Sequence, residues 1–162
     1  ARAFVHKPEL IIMDQPFNSF KSETKRWIAD FIKKNKSEEK TQLLMSDRWQ
    51  ELGDLCDRVA IMDNGRILAV GEPKALILEH IGAKILDITM APTEIDYYAS
   101  RLRSQNDRYV VLKNQIHVHL DPQKDPRLIM NMVPNDKITL RPPTLSDVFL
   151  KITGHDLLEE LI

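Results

Sequence analysis

Leu10-Ile11-Ile12-Met13 ends in Asp14, so a short apolar run reads as a buried strand that delivers a carboxylate to a sheet edge. Such a carboxylate suits a hard cation, which prefers oxygen ligands and sheds its hydration shell reluctantly. The next residue decides what else the edge can do. A glutamate there would orient or deprotonate a water, whereas the Gln15 amide can hydrogen-bond a water but has no basic lone pair at neutral pH. The competing reading of Asp14 is an acid that only caps a strand end.

Other reactive residue types point to less. His117 and His119 alternate on one strand and so share a face that could support a metal, but no third ligand is evident, and a solvated strand face is expected. His155 beside Asp156, after Gly154, reads as a helix end and cap, and Glu94 and Asp96 show no partner acid of matching context. Cys56, preceded by Leu55 and followed closely by Val59, reads as a small core residue. A lone cysteine excludes an internal disulfide and fits a reducing compartment.

The elements that must position these residues follow from periodicity. Residues 1–6 read as a helix tail stopped by Pro8, and residues 10–13 as a strand. Ser22-Glu23-Thr24 opens a helix whose Trp27, Ile28, Phe31 and Ile32 recur at helical spacing, an aromatic stripe expected to pack in the core. Thr41 to Met45 is a second strand, and strand, helix, strand in this order predicts parallel pairing across a crossover helix. A helix is expected over 48–55, then a hairpin in which 59–62 and 67–70 flank Asn64-Gly65, then a helix from Pro73 to about His80. Gly82 reads as a hinge. Beyond it come strands at 85–90, 109–112, 116–120 and 138–140, with helices over 93–103, 126–131 and 145–152. That order, βαββαβ plus a helix, predicts a ferredoxin-like module of about 75 residues, small enough to need a neighbour for stability.

Bulk composition bounds the function. With 162 residues, 43% hydrophobic and 29% charged, the chain has the composition of one or two small globular domains. Lys+Arg (23) and Asp+Glu (24) balance to a net charge of −1, which does not indicate a basic nucleic-acid surface, and the stretch from Lys33 to Lys40 includes Glu38 and Glu39 and reads as a solvated turn. No apolar run approaches the roughly 18 residues needed to span a bilayer, so any membrane link is expected to pass through a partner. The chain begins Ala1-Arg2-Ala3-Phe4-Val5 without an initiator methionine and is expected to be a fragment.

These motifs, in this order, resemble the downstream part of an ABC-type ATPase domain. Ala1-Arg2-Ala3 looks like the helix after that family's signature loop, Pro8 to Asp14 like its Walker B strand, and Cys56 to Arg66 like the hairpin after its switch loop. The second half, with its ending Pro142-Pro143-Thr144-Leu145-Ser146-Asp147-Val148-Phe149-Leu150-Lys151-Ile152-Thr153-Gly154, is similar to the C-terminal extension of drug- and polysaccharide-export subunits. The resemblance implies a partial P-loop NTPase-type parallel sheet with flanking helices over residues 1–82, followed by a small ferredoxin-like α+β domain over 83–162.

Roles follow from the same resemblance. Asp14 matches the position that helps hold Mg²⁺ through water, and Gln15 stands in the place of the catalytic glutamate. Asp47 stands in the place of the switch histidine, where an ionised acid repels a phosphate instead of donating to it. Lys21 replaces an aspartate of the dimer-facing D-loop, which includes Ser19; the bland alternative is an exposed loop tolerant of change. No Gly-x-x-x-x-Gly-Lys-Ser/Thr loop occurs within the 162 residues to cradle phosphates, and no signature loop occurs within them either.

The family uses ATP and Mg²⁺, which this chain alone is not expected to bind tightly. Its expected partners are an ABC permease and a second ATP-binding subunit, with no nucleic acid and no direct membrane insertion, and its expected location is cytoplasmic, peripheral to the membrane through the permease. The leading expectation is a partial, degenerate ATP-binding subunit of a transporter that couples Mg·ATP hydrolysis to export, inactive alone. The alternatives are a catalytically silent regulatory protein that docks to an intact ATPase or permease, and a decayed reading frame.

Overall fold

A computed structural model of the chain describes residues 4–18, 20–121, 123–133 and 137–154, without the side chains of Gln50 and Glu51. The chain is a mixed α/β structure that divides by its packing into two compact units, 1–57 and 58–162. Residues 1–3, Ser19, His155 and Asp156, to which the sequence assigned roles, lie outside the described residues.

In the first unit β1 (Leu10–Asp14) and β2 (Thr41–Met45) pair in parallel, joined by α1 (Ser22–Lys34), as the strand, helix, strand order requires. Alternation sends Ile11 and Met13 of β1 and Leu44 of β2 inward, where Met13 and Leu44 pack with Phe17, Ile32 and Leu55. Leu10, Ile12, Leu43 and Met45 form the opposite, exposed face. The aromatic stripe of α1 is only partly core. Ile32 is fully buried, but Trp27 is 65% exposed and stacks on Phe31 at 5.5 Å, which meets Phe4 edge-on at 4.8 Å. Helical periodicity identifies a face and not what covers it, so Trp27 satisfied the pattern without gaining a cover.

Two expectations for this unit are met and one is shortened. Residues 37–40 form an exposed turn closed by the Lys40 N–H donating to the Ser37 carbonyl. Cys56 is half-buried against the Phe17 cluster, and burial pushes its thiol above the ordinary range, which keeps it protonated and unreactive. The helix expected over 48–55 is a single turn, α2 (Trp49–Leu52).

The second unit opens with the hairpin of β3 (Val59–Asp63) and β4 (Arg66–Gly71). Asn64 and Gly65 carry φ values of 47° and 73°, the left-handed pair that a two-residue hairpin turn demands. After α3 (Pro73–His80) come β5 (Lys84–Thr89), α4 (Pro92–Ser104), β6 (Arg108–Leu112), β7 (Gln115–Leu120), α5 (Arg127–Met130), β8 (Ile138–Arg141) and α6 (Leu145–Thr153). Four of these strands form an antiparallel sheet in the order β6-β7-β5-β8. Leu86, Ile88, Ile116 and Val118 on one sheet face pack with Ile95, Ala99 and Leu102 of α4 and with Ile129 of α5. Gly82, at φ 109°, lies within this unit, where the Leu120 carbonyl stands 3.2 Å from the place a Cβ would occupy.

The other sheet face is not solvated, which corrects the reading of the histidine strand. His117 is 9% and His119 5% exposed. His117 Nε2 lies 3.6 Å from Asp87 Oδ1, and its Nδ1 lies 3.9 Å from Asp147 Oδ1, so a residue of α6 reaches this face. Alternation correctly placed both histidines on one face, but the cover comes from a helix that follows in sequence by some thirty residues and that strand periodicity cannot report.

A partly buried ionic cluster ties these elements together. Arg141 donates through both terminal nitrogens to the two carboxylate oxygens of Asp147, at 2.8 and 2.7 Å, and through Nε to Asp87 at 2.5 Å. Asp147 also accepts from the backbone N–H and hydroxyl of Thr144, at 2.7 and 2.8 Å, closing a capping box at the start of α6. Burial pushes the Asp147 carboxyl up, but the hydrogen bonds from Arg141 and Thr144 outweigh it and hold the group below its ordinary value. His119 is pushed down to about 4 by burial, with the nearby Lys151 and Arg108 charges adding to the effect.

Two tests follow from these pairs. Asp147→Ala should lower stability by about 2 kcal/mol, because Arg141 loses its two-oxygen partner and keeps only Asp87, and α6 loses its capping box; urea unfolding at pH 7 measures it, and a loss below about 0.5 kcal/mol would contradict the assignment. His119 is neutral in the folded state and takes up a proton more readily once unfolded, so stability should fall as pH drops from its ordinary value of 6.5 toward about 4. An NMR titration of the His119 ring with a midpoint near 6.5 would contradict this.

Candidate functional site

The parallel register decides which residues share the C-terminal edge of the small sheet, the end at which ligands bind in open α/β sheets. Asp14 pairs with Met45, and the Gln15 N–H continues the ladder by donating to the Met45 carbonyl at 2.8 Å. Asp14, the last residue of β1, and Gln15 just after it therefore lie beside Ser46 and Asp47, which follow β2. Asp14 and Asp47 are both exposed, while Gln15 is half-buried.

The loop after β1 turns sharply. Gln15 takes the left-handed φ of 47°, its carbonyl accepts from Asn18 N–H at 3.1 Å, and fully buried Phe17 anchors the turn in the core. The Gln15 Oε1 atom is enclosed and has no hydrogen-bond partner among the described residues. Lys21 is exposed at the N-cap of α1, with no side-chain cap, and its carbonyl accepts from Lys25 N–H at 3.1 Å.

The loop after β2 brings a cation that the family comparison by position did not assign to the edge. Arg48 Nε donates to Asn18 Oδ1 at 3.4 Å, and the Arg48 N–H donates to Ser46 Oγ at 3.1 Å. The two loops are thus linked through Arg48 and Asn18. The signal was a cation next to Asp47; what the sequence withheld was that the side chain crosses to the other loop.

Within the sequence the edge offers Asp14, Asp47, the Ser46 hydroxyl and the Gln15 amide, and no group of three His, Cys, Asp or Glu among the described residues is disposed to hold a metal. Mg²⁺ commonly uses one or two carboxylates and fills its octahedron with waters and substrate phosphates, so Asp14 is compatible with a water-mediated contact. The phosphates find no match. The enclosed Gln15 oxygen is not presented to a ligand, Arg48 contacts Asn18 through Nε only, and the exposed Asp47 opposes a polyanion. These residues by themselves do not fit Mg·ATP, and no catalytic step can be derived from them.

Comparison with known proteins places the chain. It is 30% identical over 158 residues to the Nod factor export ATP-binding protein I of Rhizobium sp. (strain N33), a match covering 97% of this chain and 51% of that protein. Proteins of the same name match at 30% over 165 residues in Bradyrhizobium diazoefficiens (97% of this chain, 51% of the relative) and at 32% over 160 residues in Rhizobium meliloti (97% and 46%). The chain resembles the C-terminal half of an ABC transporter ATP-binding subunit. No protein-family model matches it, and it spans about half the length of the curated relatives. Among the described residues no helix is long and apolar enough to cross a membrane.

The strained turn yields a test of the geometry. Gln15→Gly removes both the left-handed strain and the enclosed amide and should raise stability by about 1 kcal/mol, whereas Gln15→Val should lower it. Urea unfolding of the two variants in which glycine is the less stable would contradict the turn described.

Proposed function

We propose that this chain is the C-terminal portion of an ATP-binding subunit of an ABC transporter, in a family that couples Mg·ATP hydrolysis to export, and that its nucleotide site is degenerate. The observation that carries the reading is the shared edge: Asp14 and Gln15 stand beside Ser46 and Asp47 because β1 and β2 pair in parallel. In this reading Asp14 keeps the metal-facing place through water. Gln15 replaces the catalytic glutamate and cannot take a proton from the attacking water, and Asp47 replaces the switch histidine and repels the γ-phosphate. Ser19 and Lys21 belong to the D-loop, with Lys21 reversing the charge offered to a second ATP-binding subunit.

The division proposed is 1–82 as part of a P-loop NTPase-type domain and 83–162 as a ferredoxin-like extension. The parallel crossover pair supports the first, and the antiparallel order β6-β7-β5-β8, in a βαββαβ sequence of elements, supports the second. The permease and a second ATP-binding subunit are the proposed partners, and the chain is cytoplasmic and peripheral to the membrane through that permease. A second reading is a silent regulatory protein that docks to an intact ATPase or permease, with the ferredoxin-like half as its interaction surface.

The purified 162-residue chain should show no Mg²⁺-dependent ATP hydrolysis above that of its Asp14→Ala variant, and Gln15→Glu should not create any. Turnover well above the Asp14→Ala level in either protein would overturn the degenerate-site reading.

A further inference from the structure

The sheet face beneath α6 holds an excess of negative charge. Asp87 of β5 lies directly opposite His117 of β7 in the strand register, and Arg141 of β8 and Asp147 of α6 complete the group. Two carboxylates therefore meet one guanidinium. Arg141 donates to both oxygens of Asp147 and to Oδ2 of Asp87, which leaves Asp87 Oδ1 closed to water and without a hydrogen bond among the described residues. His117 Nε2 stands 3.6 Å from that oxygen.

The surroundings of the His117 ring favour one protonation state. Nε2 also lies 3.1 Å from Oε1 of Gln115, whose amide nitrogen donates to Thr89 Oγ1 and so leaves the oxygen toward the ring. Nδ1 lies 3.9 Å from Asp147 Oδ1. Both ring nitrogens thus face oxygens that accept. A neutral imidazole carries a proton on one nitrogen only, so the lone pair of the other would point at a carboxylate, whereas the imidazolium donates from both. Its charge also brings the four groups to neutrality. Arg141 and burial oppose the cation, but Arg141 is matched by one carboxylate and the second remains for His117.

The other charges on this face do not compete for that proton. His119, two residues along β7, has Arg108 of β6 opposite it, and it is pushed down to about 4, first by burial and then by the charges of Lys151, Arg108 and His117. Lys151 of α6 donates to the His80 carbonyl at the end of α3, a second fastening of the helix. We propose that His117 is a proton-operated latch for α6: as an imidazolium it bridges Asp87 of the sheet and Asp147 of the helix, and on losing its proton it lets the helix open. A proton held more tightly with the latch closed contributes in full below about pH 6.5, the ordinary histidine value, and the contribution is lost as pH rises through the closed-state midpoint.

NMR of the 162-residue chain reads both ends of the latch, through the His117 ring titration and through hydrogen exchange of the α6 amides relative to those of α4, a ratio that cancels the intrinsic pH dependence of exchange. The His117 midpoint should lie above about 6.5, and α6 protection should fall between about pH 6 and pH 9 by about tenfold for each unit of that difference. His117→Gln should make the ratio independent of pH, whereas His80→Gln should leave the dependence as it is, which separates the latch from the histidine at the end of α3. Asp87→Asn keeps the Arg141–Asp147 pair and should lower the His117 midpoint, which supplies a second variant if His117→Gln does not fold. A His117 midpoint at or below about 6.5, a constant ratio in the unsubstituted chain, or an equal fall in His117→Gln would overturn the proposal.

Discussion

Parallel pairing of β1 with β2 is the constraint on which the candidate site depends. The ladder runs from the Thr41 N–H on the Glu9 carbonyl to the Gln15 N–H on the Met45 carbonyl, and it fixes which side chains share a face and which share an end. A slip of one residue would turn Ile11 or Leu44 outward and bring Ile12 or Leu43 in, so the packing against Phe17 and Ile32 holds the register. The same register puts the carboxylate of β1 next to the loop that carries Asp47. The chemistry of the edge is therefore a consequence of core packing.

At that edge the electrostatics oppose a nucleotide more than they favour one. Two exposed acids flank a half-buried residue whose amide oxygen is enclosed, and the neighbouring cation Arg48 reaches across the two loops to Asn18 through Nε. Burying Phe17 and closing the Asn18 turn fix the shape of the loop independently of which side chains its edge presents.

Much of the fold was legible because it depends on local chemistry. Asn64-Gly65 specified its turn through left-handed φ, and Pro73 and Gly154 marked a helix start and a helix end. The candidate edge was legible to the level of Asp14, Gln15 and Asp47 because strand ends can be read from the apolar runs. What escaped depends on distant elements. Trp27 has helical spacing but no cover, His117 and His119 are covered by α6, and Arg141 is recognisable as a buried cluster only when Asp87 and Asp147 arrive from other elements. The reach of Arg48 to Asn18 is likewise a contact across thirty residues. No periodicity within one element contains that information.

The central claim is that the edge keeps the geometry of an ATP site without the groups that hold a phosphate chain. Equilibrium binding of Mg·ATP to the 162-residue chain tests this most directly. Titration to millimolar nucleotide should give no saturable binding, and Asp14→Ala should change nothing. Micromolar binding that Asp14→Ala abolishes would contradict the account.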